Sequence, residues 1–396
     1  MLKRNVWIRL CFVVTMAGCI LPARVQAQQV GRTAVEVRVA EPPTAAIALG
    51  RVHLVYEVHL TNFGAAPIAF EQLDVMDGEL AVLASWSGPQ LWQRVRLLGQ
   101  PQTEAGTPPE LRPGTRAIAY LWLSLPQGRP APGSLRHRLT FSHRGAARDT
   151  VVTASLSVRS TAPSMAAPVR GGPWLAVRGP SNGSGHRLSL VTLDGEARVP
   201  QRFAVDWALL GDDGRLFRGD STDVTNWYGY DAPVYAAAAG TVVLTRDGAS
   251  DRKPFGVPPP AVIEAADAPG NVVVIDIGQG RFATYAHLKP GSLRVAEGER
   301  VVEGQPLARI GNSGNTLGPH LHFHISDAVE PLGGEGLPFS LGSFSLIGRV
   351  ASLPALLAGT PWTANPSQPA RTVVGETPLE NMVIQFSSDA GASRAP

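Results

Sequence analysis

Residues 311–325 read GNSGNTLGPHLHFHI, and the alternation at the end of this stretch decides the fold. Imidazoles at His320, His322 and His324 take turns with Leu321, Phe323 and Ile325. Alternate side chains of a β-strand share a face, so the spacing predicts a strand over His320–Ile325 with three histidines on one side. Histidines scattered on a solvated strand face are the ordinary alternative. Three in register make a poor core but a good bed for a divalent metal, because neutral imidazole is a preferred zinc ligand. The glycine-rich run before them lacks the Gly-Lys-Ser/Thr and the following helix of a phosphate loop. It reads as a turn that leads the histidine strand into place.

Outward from this strand, the same pattern of short β runs between Gly, Asp and Asn turns continues. Strands are predicted over Arg187–Leu193, Arg198–Leu209, Thr241–Thr245, Val272–Ile277, Arg281–Leu288 and Pro306–Ile310, with Gly278-Gln279-Gly280 closing a hairpin. His287 ends that hairpin, and Asp206 lies among apolar neighbours in RFAVDW, where a carboxylate needs a partner. Toward the N-terminus, Val35–Val39, His53–Leu60, Ala117–Leu125, Arg136–Ser142 and Val151–Val158 also read as strands. LVYEVHLTNFGAAPIAFEQLDV, residues 54–75, looks like the opening of an immunoglobulin-like sandwich; His53 just before it and His59 within it read as surface histidines. Helical periodicity is nearly absent, so the fold class is all-β.

The expected organisation is a signal peptide at 1–27, a sandwich at 30–160, a small-residue and proline-rich linker at 161–175, a second β domain at 176–350, and a partly irregular extension at 351–396. Within the extension, Met382–Phe386 is the one stretch apolar enough to add a strand. Met1–Arg9 is basic, Leu10–Leu21 is apolar and Val25-Gln26-Ala27 offers small residues for cleavage, the order of a secretory signal. The apolar run falls short of the roughly 20 residues a spanning helix needs. A mature chain starting at Gln28 is therefore expected outside the cytoplasm, without a membrane span. Both cysteines, Cys11 and Cys19, fall in the leader, so disulfides do not hold the mature chain. The formal charge of +3 comes from 35 basic and 32 acidic residues. Lys3, Arg4, Arg9 and Arg24 belong to the leader; without these four, 31 bases face 32 acids, which removes the composition argument for a nucleic-acid partner.

DAPVYAAAAGTVV (231–243), GNVVVIDIGQGRFATYAHL (270–288) and VAEGERVVEGQPLARIGNSGNTLGPHLHF (295–323) together resemble the lysostaphin-type (LytM-type) zinc endopeptidases, which cut peptide crosslinks of the bacterial cell wall. The resemblance covers residues ~200–325. It implies an open β-sheet groove, a zinc cofactor and a peptidoglycan or other peptide substrate. In that family a histidine, an aspartate four residues later and the second histidine of HxH bind zinc. The first histidine of HxH and the histidine of YxHL assist the water and the developing oxyanion. Carried over, Asp206 and His322 are metal ligands, and His287 and His320 are catalytic.

One position departs from the pattern. Arg202 stands where the family has its first ligand, and a guanidinium has no lone pair for a metal. His186 is the leading replacement. GHRLSLVTLDGEARVPQRFAVDW reads as a hairpin, in which a three-residue loop at Leu193–Gly195 sets His186 opposite Arg202 on the same face, and a two-residue loop turns it away. His324 is the weaker candidate ligand and is otherwise assigned to substrate. Arg202 is then free to hold a carboxylate of the substrate. The alternative is a degenerate domain that binds the wall or regulates without cutting.

Overall fold

The structure, a computed structural model, describes residues 33–100, 106–143, 148–159, 162–256 and 267–388. Residues 1–27, read above as a leader and holding both cysteines, lie outside the described residues. The chain is all-β, with three helices of four or five residues among the described residues.

The N-terminal part is a two-sheet sandwich. One sheet runs Val35–Val39, Arg51–Asn62, Arg116–Ser124, Val95–Leu97, and the other is centred on Ser134–His143 and Ile68–Asp77. Ser134–His143 alternates buried and half-buried positions, as a strand with one face on a core should. Leu54, Tyr56, Val58, Leu60, Leu73, Val75, Leu121, Leu139 and Phe141 fill the space between the sheets.

Arg51–Asn62 breaks that alternation and is buried on both faces from His53 onward. Its second face, bearing His53, Val55, Glu57 and His59, is covered by the rest of the chain. Val55 and Ala46 pack on Phe203, the amides of Leu49 and Gly50 donate to Glu376, and Thr377 N–H donates to the Ile47 carbonyl. His53 and His59 are therefore buried, and the reading of them as surface histidines is corrected. A one-chain pattern of alternation cannot show that a second domain docks on the outer face.

Inside the sandwich, the Tyr56 hydroxyl meets His137 Nε2 at 2.8 Å, and burial pushes the His137 imidazolium down to about 4. The unfolded chain binds this proton near pH 6.5 and the native chain only near 4, so stability is full above 6.5 and falls between those values. Urea unfolding should show a loss of about 3 kcal/mol between pH 7 and pH 4 that is absent in His137→Gln, measured against that variant at each pH. Parallel pH curves for the two proteins would refute it.

Besides two small two-stranded sheets, Val191–Leu193 with Glu196–Arg198 and Pro233–Tyr235 with Pro306–Arg309, the remainder of the described residues forms one large sheet. Across its centre the order is Met382–Gln385, Trp174–Val177, Val205–Leu209, Leu321–Ser326, Phe282–Leu288, Asn271–Asp276, Gly240–Arg246. Trp174, Trp207, Tyr285, Phe323 and Phe339 fill the core beneath it. The 278–280 hairpin forms as read, with Ile277 N–H donating to the Arg281 carbonyl. Met382–Gln385 adds a strand between Trp174–Val177 and Ser340–Arg349. In the stretch read as a linker, Ser164–Met165 pairs in parallel with Ser340–Leu341, and Val169 is buried. No helix among the described residues is long and apolar enough to cross a membrane.

Candidate metal centre

Two adjacent strands bring the first pair of groups together. Val205–Leu209 pairs with Leu321–Ser326 so that Asp206 lies opposite His322. His322 Nδ1 stands 2.8 Å from Asp206 Oδ1, and its Nε2 meets His324 Nδ1 at 2.9 Å. A proton and a metal ion compete for the lone pairs of the His322–Asp206 contact. The Gln201 amide also reaches His322 Nε2, at 3.3 Å.

His320 precedes the strand, which begins at Leu321, so the reading of three histidines in one strand register is corrected to two. The turn still aims His320 at the same place. Its Nδ1 meets the Gly318 carbonyl at 2.8 Å. A carbonyl only accepts, so Nδ1 carries a proton and Nε2 is left to face the site. That Nε2 lies 3.4 Å from Asp206 Oδ1, without hydrogen-bond geometry, and is a buried polar atom left without a partner.

A β-bulge aims His287. Asn271 pairs with Leu288 and Val273 with Tyr285, so Ala286 and His287 together oppose one residue. The bulge sets His287 at φ +61°, a left-handed conformation uncommon outside glycine that its neighbours here hold in place. The constraint is the glycine-rich loop. Ser313 presents its carbonyl to His287 Nδ1 at 2.8 Å, and its hydroxyl donates to the Leu288 carbonyl. A Cβ on Gly314 would sit 2.4 Å from the Gly270 nitrogen, so only glycine allows this approach. His287 lies edge-on to His320 and His322, with ring centroids 4.8 and 5.8 Å away.

His186 joins the group by a route the sequence reading did not foresee. The hairpin turns through two residues, Asp194-Gly195, and ends at Val191 and Arg198. His186 lies outside it, on the helical turn Gly185–Leu188. The strand predicted over Arg187–Leu193 and its register argument are corrected accordingly. His186 Nδ1 meets the Arg178 carbonyl at 2.9 Å, so the protonated nitrogen is again spent on the backbone, and Nε2 faces Asp206 Oδ2 at 3.5 Å. One ligand atom from each of His186, Asp206 and His322 falls within 4.8 Å of the other two, and all three residues are buried.

The charges are set by burial and by Asp206. Burial works against the Asp206 carboxylate, but the neighbouring His186 and His320 hold it well below the usual range. His320 is pushed up despite burial, because Asp206 faces it. Burial pushes His287 down to about 3 and His322 to about 4.

Two assignments do not survive. Arg202 is 7% exposed, and its guanidinium is taken up by Glu57 at 2.8 Å, Glu335 at 2.6 Å and the Gly336 carbonyl at 3.0 Å. It has no donor group free for a substrate carboxylate. His324 is 1% exposed, against the far side of His322, so it supports that ring and does not meet substrate. Ser313, Gly318 and Arg178 went unnoticed in the sequence because they act through backbone carbonyls, which leave no residue signature.

Two imidazoles and a carboxylate within reach of one point, with further imidazoles beside them, could hold a divalent metal ion. The chain carries a region of Peptidase family M23: that family matches residues 223–333, which include His287, His320, His322 and His324 and begin after His186 and Asp206. Peptidoglycan DD-endopeptidase ShyA of Vibrio cholerae is 32% identical over 100 residues, 25% of this chain and 19% of that protein. Peptidoglycan DD-endopeptidase ShyB of the same organism is 30% identical over 119 residues, 30% of this chain and 23% of that one. The chain thus spans less than a quarter of the length of these relatives. Among solved structures, the catalytic domain of the antimicrobial peptidase lysostaphin from Staphylococcus simulans aligns with 41% of this chain and 86% of its own, at 17% identity and a TM-score of 0.23.

Proposed function

We propose that this chain is an exported zinc metallo-endopeptidase that cleaves peptide crosslinks of peptidoglycan. The observation that carries it is the common wiring of His186, His287 and His320. Each spends Nδ1–H on a backbone carbonyl, which leaves Nε2 for the space around Asp206 and His322. Ring orientation by an outer acceptor is what a metal-binding or proton-transferring imidazole needs. The family match and the two DD-endopeptidase relatives support the substrate class.

His186, Asp206 and His322 would hold the zinc. When bound, zinc supplies Lewis acidity toward water and toward the scissile carbonyl. His287, held neutral by burial, offers a lone pair to take up a proton. His320, whose charged form Asp206 favours, offers a proton and a positive charge where negative charge develops on the peptide. Environments that push two titratable groups apart in this way separate base from acid.

The test is zinc content of the purified mature protein together with digestion of crosslinked muropeptides. About one zinc per chain is expected, with hydrolysis lost to a chelator and restored by stoichiometric zinc. Zinc bound without hydrolysis would favour the binding-module alternative; no zinc at all would sink the reading. For export, N-terminal sequencing of the extracytoplasmic protein should begin at Gln28. An intact Met1 would overturn that part alone.

A further inference from the structure

Glu57, Arg187, Arg202 and Glu335 form a buried charged cluster that none of the proposed chemistry uses. Arg187 follows His186 on the same helical turn and is wholly buried. Its Nη2 donates to the carbonyls of Tyr56 at 3.0 Å and Leu121 at 2.9 Å, and lies 3.2 Å from Glu57 Oε1. All three partners belong to the N-terminal sandwich. The preceding segment is tied there too, by the Asn182 amide at the Tyr120 carbonyl. Arg202 grips the other oxygen of Glu57 while holding Glu335.

The turn that carries His186 has four residues, and a helix so short does not hold itself. Its own backbone contributes one bond, Leu188 N–H to the Ser184 carbonyl. The Ser184 hydroxyl and His186 Nδ1 tie one side of it to the Arg178 carbonyl, and the sandwich holds the other side through Arg187. Arg187 acts through Nη2 alone, and a shift of the turn would part it from both carbonyls and from the carboxylate beside it. Arg202, at the position where the lysostaphin-type pattern has a ligand, spends its side chain on the same carboxylate.

We propose that the N-terminal sandwich is a structural part of the metal centre: Glu57 and the carbonyls of Tyr56 and Leu121, acting through Arg187, position His186 as its third ligand. This rests on the metal reading above. Glu57 and Arg187 are positioning residues; they touch neither metal nor substrate. The sandwich then couples metal affinity to its own docking.

The test uses the full mature chain. Zinc affinity is measured by chelator competition for the unmutated protein, Glu57→Gln, His186→Ala and the double variant, with amide exchange of residues 178–190 followed in parallel. Glu57→Gln should weaken zinc by about 10–100-fold, as loss of an outer partner does, and speed exchange of that segment. In the His186→Ala background it should cost no further zinc affinity. Asp74→Asn, which removes the sandwich's Asp74–Arg138 pair away from this cluster, should leave zinc affinity unchanged. Arg187→Lys, which keeps charge but loses the fork, serves if Glu57→Gln does not fold. Unchanged affinity and exchange in Glu57→Gln would overturn the proposal, as would equal losses in Asp74→Asn or a loss that persists without His186. If the unmutated chain binds no zinc, the metal reading falls, and exchange in residues 178–190 decides alone whether the sandwich holds the turn.

Discussion

His186→Ala is expected to abolish peptide hydrolysis and to weaken zinc by more than the roughly 10–100-fold that loss of an outer hydrogen-bond partner costs. The site has two imidazoles and one carboxylate as its closest triad. Removing His186 leaves Asp206 and His322, one short of the three protein ligands usual for a catalytic zinc. Arg202 cannot substitute, because its guanidinium is committed to Glu57 and Glu335. His324 cannot substitute without giving up its contact with His322 Nε2. The fold should survive, since His186 contributes one backbone hydrogen bond and a ring contact with His322 and belongs to no apolar core cluster. Far-ultraviolet dichroism and the urea midpoint check that, while zinc competition and muropeptide digestion read the effect. Full zinc occupancy with unchanged hydrolysis would remove His186 from the site.

How much of this was legible depended on how local the cause was. The HLHF alternation, Asp206 between apolar neighbours and the glycine-rich turn are set by residues a few positions apart, and each placed its side chain at the site. His186 does come near Asp206 and His322, but not by the hairpin the sequence suggested. A hairpin long enough to carry it would need strand through residues 186–190, and that segment makes a helical turn because Arg187 is drawn into the sandwich. The assignments of Arg202 and His324 to substrate failed for a related reason. Arg202 finds its acceptor 145 residues away on the sandwich, and no pattern around residue 202 announces Glu57. His324 shares a face with His322, as alternation requires, yet that face is buried at its position. Binary patterning tells which side chains share a face, not what lies against it.

Arg202→Met should destabilise the chain by about 3–5 kcal/mol at neutral pH, the range for breaking a buried ion pair by removing one member. Burial raises the cost of a charged Glu57, and Arg202 and Arg187 together outweigh it, so that its carboxyl sits below the usual range. Glu335 is already pushed up by burial against the opposing pull of Arg202. Without Arg202, Glu57 keeps Arg187 alone and Glu335 loses its ion-pair partner, so both must be charged without cover or take up a proton. A carboxyl whose pKa is held below its unfolded value stabilises the native chain above that value and loses the benefit as pH falls. The gap between Arg202→Met and the unmutated protein should therefore be widest near pH 7 and narrow as pH drops through about 4.5, because protonated carboxyls need no cation. Arg202→Met with Glu335→Gln should recover part of the loss, since two partners removed together leave one fewer unpaired charge. Urea unfolding of the three proteins at pH 7 and pH 4.5 measures all of this. A loss below about 1 kcal/mol for the single variant at pH 7 would mean that the cluster is solvated, as surface pairs are, and would leave the docking of the sandwich to the apolar contact of Val55 and Phe203 and to the hydrogen bonds at Glu376 and Thr377.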